Sequence, residues 1–337
     1  MMKSFYVNLT GINESSIYEE QIDTSNLKDN EAIIKANYSM ISAGTELSRA
    51  FGLKKGFEYP VRPGYCMVGT ILEKGKDVEA DVGDKVFVNA PHASLVRRST
   101  GNNPQGPLII KLPEGIDEKD ATAINLLLVA IQGVNLTEVK LGNTVGVFGL
   151  GNIGIITALM YKKLGCKVIG LDPVSERCDL AKQMGLEYVI DSNNQKDEIN
   201  KLTDNKGLDI AVDVTGVAQS IISTIDNTKA YGQVLLLGSP RTSYETDVMP
   251  VFSNIHMKNL KVIGGFNKTT PVYCEPGSNN SLINNFYTVC DLIKNKDIDI
   301  SKLISKVIDP KDCQQAYYDL MYNKDKVNCI VFDWNNY

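Results

Sequence analysis

The chain has 337 residues, 43% hydrophobic and 22% charged, with a formal net charge of −5. That length is comfortable for two domains, and the composition is that of an ordinary globular protein rather than a disordered or repetitive one. The acidic balance argues against nucleic-acid binding, which needs a basic stripe to meet phosphates.

In chain order, the N-terminal part reads as short β-strands punctuated by Gly and Pro. The candidates are EAIIKANY (31–38), MVGTILEKG (67–75), DKVFVNA (84–90) and PLIIKLPEG (107–115). After Pro113 a helical stretch, DEKDATAINLLLVAIQGVNL (117–136), opens on acidic residues suited to a helix N-terminus. From Thr144 strands and helices alternate. TVGVFGL (144–150) and KVIGLD (167–172) are strands. NIGIITALMYKKLG (152–165) and SERCDLAKQMG (175–185) are helices, each closed by a glycine. EYVIDS, LDIAVDVTG, GQVLLLGSP and NLKVIGGF follow as further strands, six in all. Strands separated by helices predict an α/β fold with a doubly wound parallel sheet, set beside a β-rich domain. A helix at 284–296 and a strand, VNCIVFDW (327–334), come last.

No apolar run reaches the ~18 residues of a membrane span. MMKSFYVNLTGINESS lacks the continuous apolar core of a secretory signal. The seven cysteines (Cys66, Cys166, Cys178, Cys274, Cys290, Cys313 and Cys329) are scattered and form no Cys-x-x-Cys pair. They read as free thiols in a reducing compartment, and the expected location is cytoplasmic.

The clearest chemical signal is VGVFGLGNIG. Gly149, Gly151 and Gly154, with Leu150, Asn152 and Ile153 between them, form G-x-G-x-x-G directly after a strand and opening a helix. The first glycine makes the turn, the second lets the backbone approach a pyrophosphate, and the third packs helix on strand. Helix N–H groups then face the phosphates. Asp172, eighteen residues after Gly154, ends the next strand. A carboxylate there suits free ribose hydroxyls and repels a 2′-phosphate, so NAD(H) is the expected cofactor and NADP(H) the second choice. Asp172 also begins an Asp-Pro turn, which is the plainer reading of the residue.

SAGTEL (42–47), PGYCMVGTILEKGKDV, GDKVFV, IIKLPEGI, the glycine-rich core and VIDPKDCQQAYYDLMYNKDKVNCIVFDW occur in that order. Together they resemble the medium-chain dehydrogenase/reductase superfamily over nearly the whole chain. The resemblance implies a GroES-like catalytic domain from 1–116 and 267–337 and a Rossmann dinucleotide-binding domain at 117–266. It also exposes a departure from the zinc-dependent members. Their Cys-Gly-Thr-Asp cysteine is Ala43, the His and Glu of their Pro-Gly-His-Glu are Tyr65 and Cys66, and the third ligand falls near Asn125. A tetrahedral zinc site needs thiolate, imidazole or carboxylate ligands, and no zinc is expected. The structural-zinc lobe is missing too, because no cysteine lies between His92 and Pro107. Among zinc-free members, SAGTEL followed by YPVRPGY is most similar to the bacteriochlorophyllide dehydrogenase-like subgroup.

The resemblance assigns provisional roles. Tyr65, at a ligand position, is the first candidate hydrogen-bond donor to substrate. Thr45 matches a hydroxyl that relays a proton, Glu46 orients neighbours, and Asn125 is a candidate partner of a substrate oxygen. His92 is an alternative proton donor. Gly238, Ser239, Arg241 and Gly264 follow the last two strands, where the family places the nicotinamide. Each has a structural alternative: a part-buried phenol, a turn hydroxyl, a core histidine, a solvated arginine. Cys66 reads as an inert apolar thiol. The expected function is zinc-independent, NAD(P)-dependent reduction of a polarised C=C or C=O bond in a metabolite or natural product, a dehydroamino-acid peptide included. The alternatives are an NAD-dependent dehydrogenase of a secondary alcohol and a non-catalytic dinucleotide-binding sensor. The expected partners are a small-molecule or modified-peptide substrate and a second copy in a homodimer, with no nucleic acid and no membrane.

Overall fold

The structure is a computed structural model that describes residues 1–53, 56–103, 106–191, 194–240, 243–266, 269–278 and 280–337. The chain divides into two compact units, Met1–Asn125 with Thr269–Tyr337, and Leu126–Lys268.

The first unit opens with an antiparallel hairpin of β1 (Met2–Gly11) and β2 (Glu14–Ile22), which the sequence reading did not anticipate. Asn13 sits at its turn with φ +58, a left-handed conformation that asparagine tolerates. Then come β3 (Glu31–Met40), α1 (Ala43–Ala50), β4 (Met67–Lys74), β5 (Lys85–Val88), β6 (Leu95–Ser99), β7 (Ile109–Lys111) and α2 (Glu118–Ala121).

The single helix expected over 117–136 is two helices, α2 and α3 (Ile124–Asn135). Asp117 caps α2, accepting from the backbone N–H of Lys119 and Asp120. Asp120, 3% exposed, pairs with Lys296 at 2.7 Å. That pairing holds α2 within the first unit, which runs to Asn125 before its return at Thr269.

The second unit continues from α3 through β8 (Thr144–Phe148), α4 (Asn152–Lys163), β9 (Lys167–Leu171), α5 (Ser175–Gln183) and β10 (Tyr188–Ile190). It is completed by α6 (Gln195–Leu202), β11 (Leu208–Asp213), α7 (Ala218–Asn227), β12 (Thr228–Leu236), α8 (Met249–Met257) and β13 (Lys261–Gly264). The sheet order is β10-β9-β8-β11-β12-β13, all parallel. This is the doubly wound arrangement, with its switch point between β8 and β11. Val145 and Val147 in β8 and Ile210 and Val212 in β11 are wholly buried, as befits strands covered on both faces.

The chain returns to the first unit with α9 (Leu282–Lys294), β14 (Ile304–Ile308), α10 (Cys313–Tyr322) and β15 (Cys329–Asp333). The seven-stranded sheet runs β14-β15-β3-β4-β5-β7, with β6 also paired to β3. Its core centres on Ile34, Met67, Ile71, Phe332 and Trp334, none of them exposed. Among the described residues no helix is long and apolar enough to cross a membrane, and all seven cysteines are free thiols.

Candidate active site

The glycine-rich turn has the geometry its sequence predicts. Gly149 follows β8 with φ +99, a conformation that favours glycine. A Cβ on Gly154 would lie 1.8 Å from the Gly149 carbonyl oxygen, so only glycine allows α4 to start this close to the strand. Gly151 is the N-cap of α4 and supplies no capping side chain, which leaves the positive end of the helix to an anion. Leu150 is buried, and Asn152 and Ile153 are half-buried in the first turn.

Asp172 follows β9 and is 2% exposed. One carboxylate oxygen accepts from the Leu150 N–H at 2.8 Å and the other from the Val174 N–H at 2.9 Å. The carboxylate therefore clamps the glycine turn to the end of β9. The Arg177 guanidinium stands 3.4 Å from it.

Across the switch point, Asp213 ends β11 and is wholly buried. It accepts from the hydroxyls of Thr215 and Ser220, each at 2.7 Å, and from the Gly216 N–H at 2.8 Å. This second organising carboxylate was not singled out in the sequence. Its signal is an aspartate at the last position of a strand, followed by Val-Thr-Gly. The Gly238 N–H donates to the Asp213 carbonyl, Ser239 is exposed, and Gly264 ends β13. Glycines at the carboxyl ends of neighbouring parallel strands stand where open α/β sheets bind ligands. Arg241 lies outside the described residues.

In the other unit, Ser42 is the N-cap of α1, and its carbonyl accepts from the N–H groups of Thr45 and Glu46. The Tyr65 hydroxyl hydrogen-bonds with Ser42 Oγ and with Thr45 Oγ1, the latter at 3.2 Å. Ser42 is buried, Tyr65 half-buried and Thr45 exposed, so three hydroxyls step from the core to the surface. Burial pushes the Tyr65 phenol well above its ordinary value, which keeps it protonated and a donor.

Beneath them lies a buried polar network. Glu46, 1% exposed, accepts from the Ser42 N–H at 2.7 Å, the Tyr317 hydroxyl at 2.7 Å and His92 Nε2 at 3.0 Å. His92 Nδ1 lies 2.7 Å from Ser39 Oγ, which also accepts from Trp334 Nε1 at 2.9 Å. An indole N–H only donates, so the Ser39 proton is available to Nδ1, and the hydrogen on Nε2 goes to Glu46. His92 has no exposed surface and packs edge-on against Phe332. The structure thus joins Tyr65 with Thr45 directly and with His92 only through Ser42 and Glu46. Asn125 is half-buried at the start of α3. Of this network the sequence suggested Glu46 and His92 but not Ser39, Tyr317 or Trp334.

These residues do not make a zinc site. Ala43 offers a methyl group, and the Tyr65 oxygen is engaged with two hydroxyls. Cys66 is a single thiol, and one thiol alone does not supply the converging ligand set of a tetrahedral zinc. Among the described residues no group of three or more His, Cys, Asp or Glu could hold a metal ion.

Comparison with known proteins adds kinship. Residues 152–275 match a family described as zinc-binding dehydrogenase, a stretch that contains none of Ala43, Tyr65, Cys66 and Asn125. A D-guloside 3-dehydrogenase of Shigella flexneri is 34% identical over 173 residues, 50% of this chain and 48% of that protein. The match thus spans about half the length of this curated relative. Among solved structures, galactitol-1-phosphate dehydrogenase from Escherichia coli superposes with a TM-score of 0.83 at 19% identity, covering 98% of this chain and 100% of that one. A putative zinc-binding dehydrogenase from Sinorhizobium meliloti 1021, bound to NADP, has a TM-score of 0.78 at 17% identity, covering 99% and 100%.

Proposed function

We propose that the chain belongs to the medium-chain dehydrogenase/reductase superfamily, a reading its similarities to dehydrogenases support, and that it interconverts a secondary alcohol and a ketone on a polyhydroxylated small molecule, with NAD(P) as cofactor and without zinc. The observation that carries this reading is the hydroxyl cluster of Tyr65, Ser42 and Thr45 at a position where zinc-dependent relatives hold the metal. The names of the relatives favour alcohol and ketone over an activated C=C bond, since a guloside and a sugar-alcohol phosphate are both polyols.

The glycine turn, Gly238 and Gly264 would hold the dinucleotide, which accepts or supplies the hydride. Tyr65 donates a hydrogen bond to the substrate oxygen and stabilises negative charge developing there, as a metal would in a zinc enzyme. Thr45 Oγ1, exposed and within reach of the phenol, passes the alcohol proton to solvent. Ser42 and Glu46 hold the phenol in place, and His92 supports Glu46.

A second copy of the chain is the proposed partner. β13 is an edge strand, and Val262 within it, Phe266 just after it and Met249, Phe252 and Met257 of the preceding helix α8 are all exposed. Edge-to-edge pairing about a two-fold axis would cover them and make a dimer, which sedimentation at micromolar concentration checks. The proposed compartment is the cytoplasm, in keeping with seven free thiols.

The test is reduction of NAD or NADP, followed at 340 nm, with a panel of polyols, sugars and glycosides, and the reverse reaction with ketones and enones. We expect alcohol–ketone turnover by protein extracted with chelator and free of zinc. Activity that appears only with stoichiometric zinc overturns the metal-free reading. Enone reduction without ketone reduction overturns the alcohol–ketone reading.

A further inference from the structure

Burial along α1 follows the helical period. Gly44 and Thr45 are exposed and Ser48 and Arg49 half-buried, whereas Glu46 and Ala50 are buried. Thr45 and Arg49 are four residues apart, so they share the outward face and stand about 6 Å apart along the axis. Side chains on a helix lean toward its N-terminus, so Arg49 leans back toward Thr45 and the Tyr65 phenol bonded to it.

The Arg49 guanidinium is held in place but not paired. It stands over the Phe57 ring, 5.4 Å from the centroid. Its backbone carbonyl accepts from the Tyr59 hydroxyl at 2.5 Å and from the Gly52 N–H at 3.2 Å, which fixes the end of the helix. Its Nε is buried with no hydrogen-bond partner, and among the described residues the guanidinium forms no ion pair. The one carboxylate of α1, Glu46, is buried on the other face and already accepts three donors. A buried N–H without a partner costs free energy that an oxyanion would recover.

Resting on the alcohol–ketone reading above, we propose that Arg49 is a substrate-binding, specificity-determining residue: it holds an anionic group, phosphate or carboxylate, borne by the polyhydroxylated substrate a few atoms from the carbon that exchanges hydride. A guanidinium stacked on an aromatic ring keeps paired N–H donors at its edge, and these match the oxygens of either anion. In a chain of net charge −5, a local cation on the substrate face is what admits such a molecule.

Steady-state kinetics with the full chain test this. The probes are six-carbon alditols, their terminal phosphates and the matching aldonates, and reduction of NAD or NADP is the readout. We expect an anionic probe to have a kcat/KM at least about tenfold above its uncharged parent. Arg49→Gln should lower that value about 10- to 100-fold, the effect of a charge-assisted hydrogen bond, through KM and with kcat within about twofold. The uncharged parent should stay within about twofold, and Arg49→Lys, which keeps the charge but not the fork, should restore part of the loss. The larger preference, for phosphate or for carboxylate, identifies the group. Uncharged alditols that turn over as well as every anionic probe overturn the proposal and leave the alcohol–ketone reading standing. So does an Arg49→Gln variant that lowers charged and uncharged probes alike, or neither. A shared loss with a lower melting midpoint would instead assign Arg49 to the C-terminal end of α1, whose dipole a cation stabilises. If no probe of any kind turns over, the alcohol–ketone reading itself falls, and this proposal with it.

Discussion

Tyr317→Phe isolates one bond of the buried network. The ring is 1% exposed and its packing is kept; only the hydroxyl that donates to Glu46 at 2.7 Å is removed. Glu46 retains the Ser42 N–H and His92 Nε2, so no charge is stranded. The cost is that of one buried hydrogen bond to a carboxylate, about 1.5–3 kcal/mol. For a unit of about 190 residues, each kcal/mol lowers the midpoint by roughly 2–4 °C, so the expected fall is roughly 3–12 °C. Circular dichroism melts of native and variant protein measure it, and NADH binding should be unaffected. A midpoint within about 1 °C of native would show that this contact contributes nothing net, and the network would then be a poor candidate for the device that holds Tyr65.

Tyr65→Phe or Thr45→Val should depress turnover on the true substrate by about 100- to 1000-fold with nucleotide binding intact, because a lost transition-state donor costs that much in a dry site; native rates in both variants would clear both hydroxyls of a role. Gly154→Ala should abolish fluorescence-detected NADH binding, since the new Cβ would lie 1.8 Å from the Gly149 oxygen; native affinity would refute the packing argument. Stability should fall at alkaline pH. Burial raises the thiols of Cys290 and Cys329 to about 12, and pushes the phenols of Tyr65, Tyr161 and Tyr317 above their ordinary value. A folded-state value above the unfolded one contributes stability that is full below the unfolded value, ~8.5 for a thiol and ~10 for a phenol, and is lost as pH climbs toward the folded one. Urea unfolding from pH 7 to 11 should show a decline that begins near pH 9 and steepens past 10. Constant stability across that range would contradict the burial of these groups.

The Rossmann unit was legible because its signals are local. A buried parallel strand is a short apolar run, its helix ends at a glycine, and the phosphate turn is spelled by three glycines within six residues. Each strand expected there forms within a few residues of its predicted bounds; β12 is the loosest, starting at Thr228 rather than Gly232. The β-rich unit was harder. β6 and the β1–β2 hairpin went unread, because their polar faces break the apolar runs that mark strands. The break between α2 and α3 carries no such local mark, and the contact that Asp120 of α2 makes with Lys296 spans 176 positions of chain.

Two carboxylates show where motif reading stops. Asp172 was placed correctly as the acidic residue after the second strand, yet the motif says only that a carboxylate stands there, not that backbone N–H groups already occupy it. Whether such a group can turn a phosphate away depends on its neighbours, and the Arg177 guanidinium stands 3.4 Å from it. Glu46 belongs to SAGTEL, but its donors Tyr317 and His92 come from distant parts of the chain, and Tyr317 is 271 positions away. Its remaining donor, the Ser42 N–H, is supplied by the turn that starts α1. That local bond fixes the serine whose hydroxyl meets Tyr65, so the long-range network acts on the phenol through one short segment. A carboxylate stripped of both distant donors would be buried with a single N–H, a costly state that local rearrangement would relieve. The position of the phenol, and the chemistry proposed for it, thus depends on residues that no contiguous motif contains.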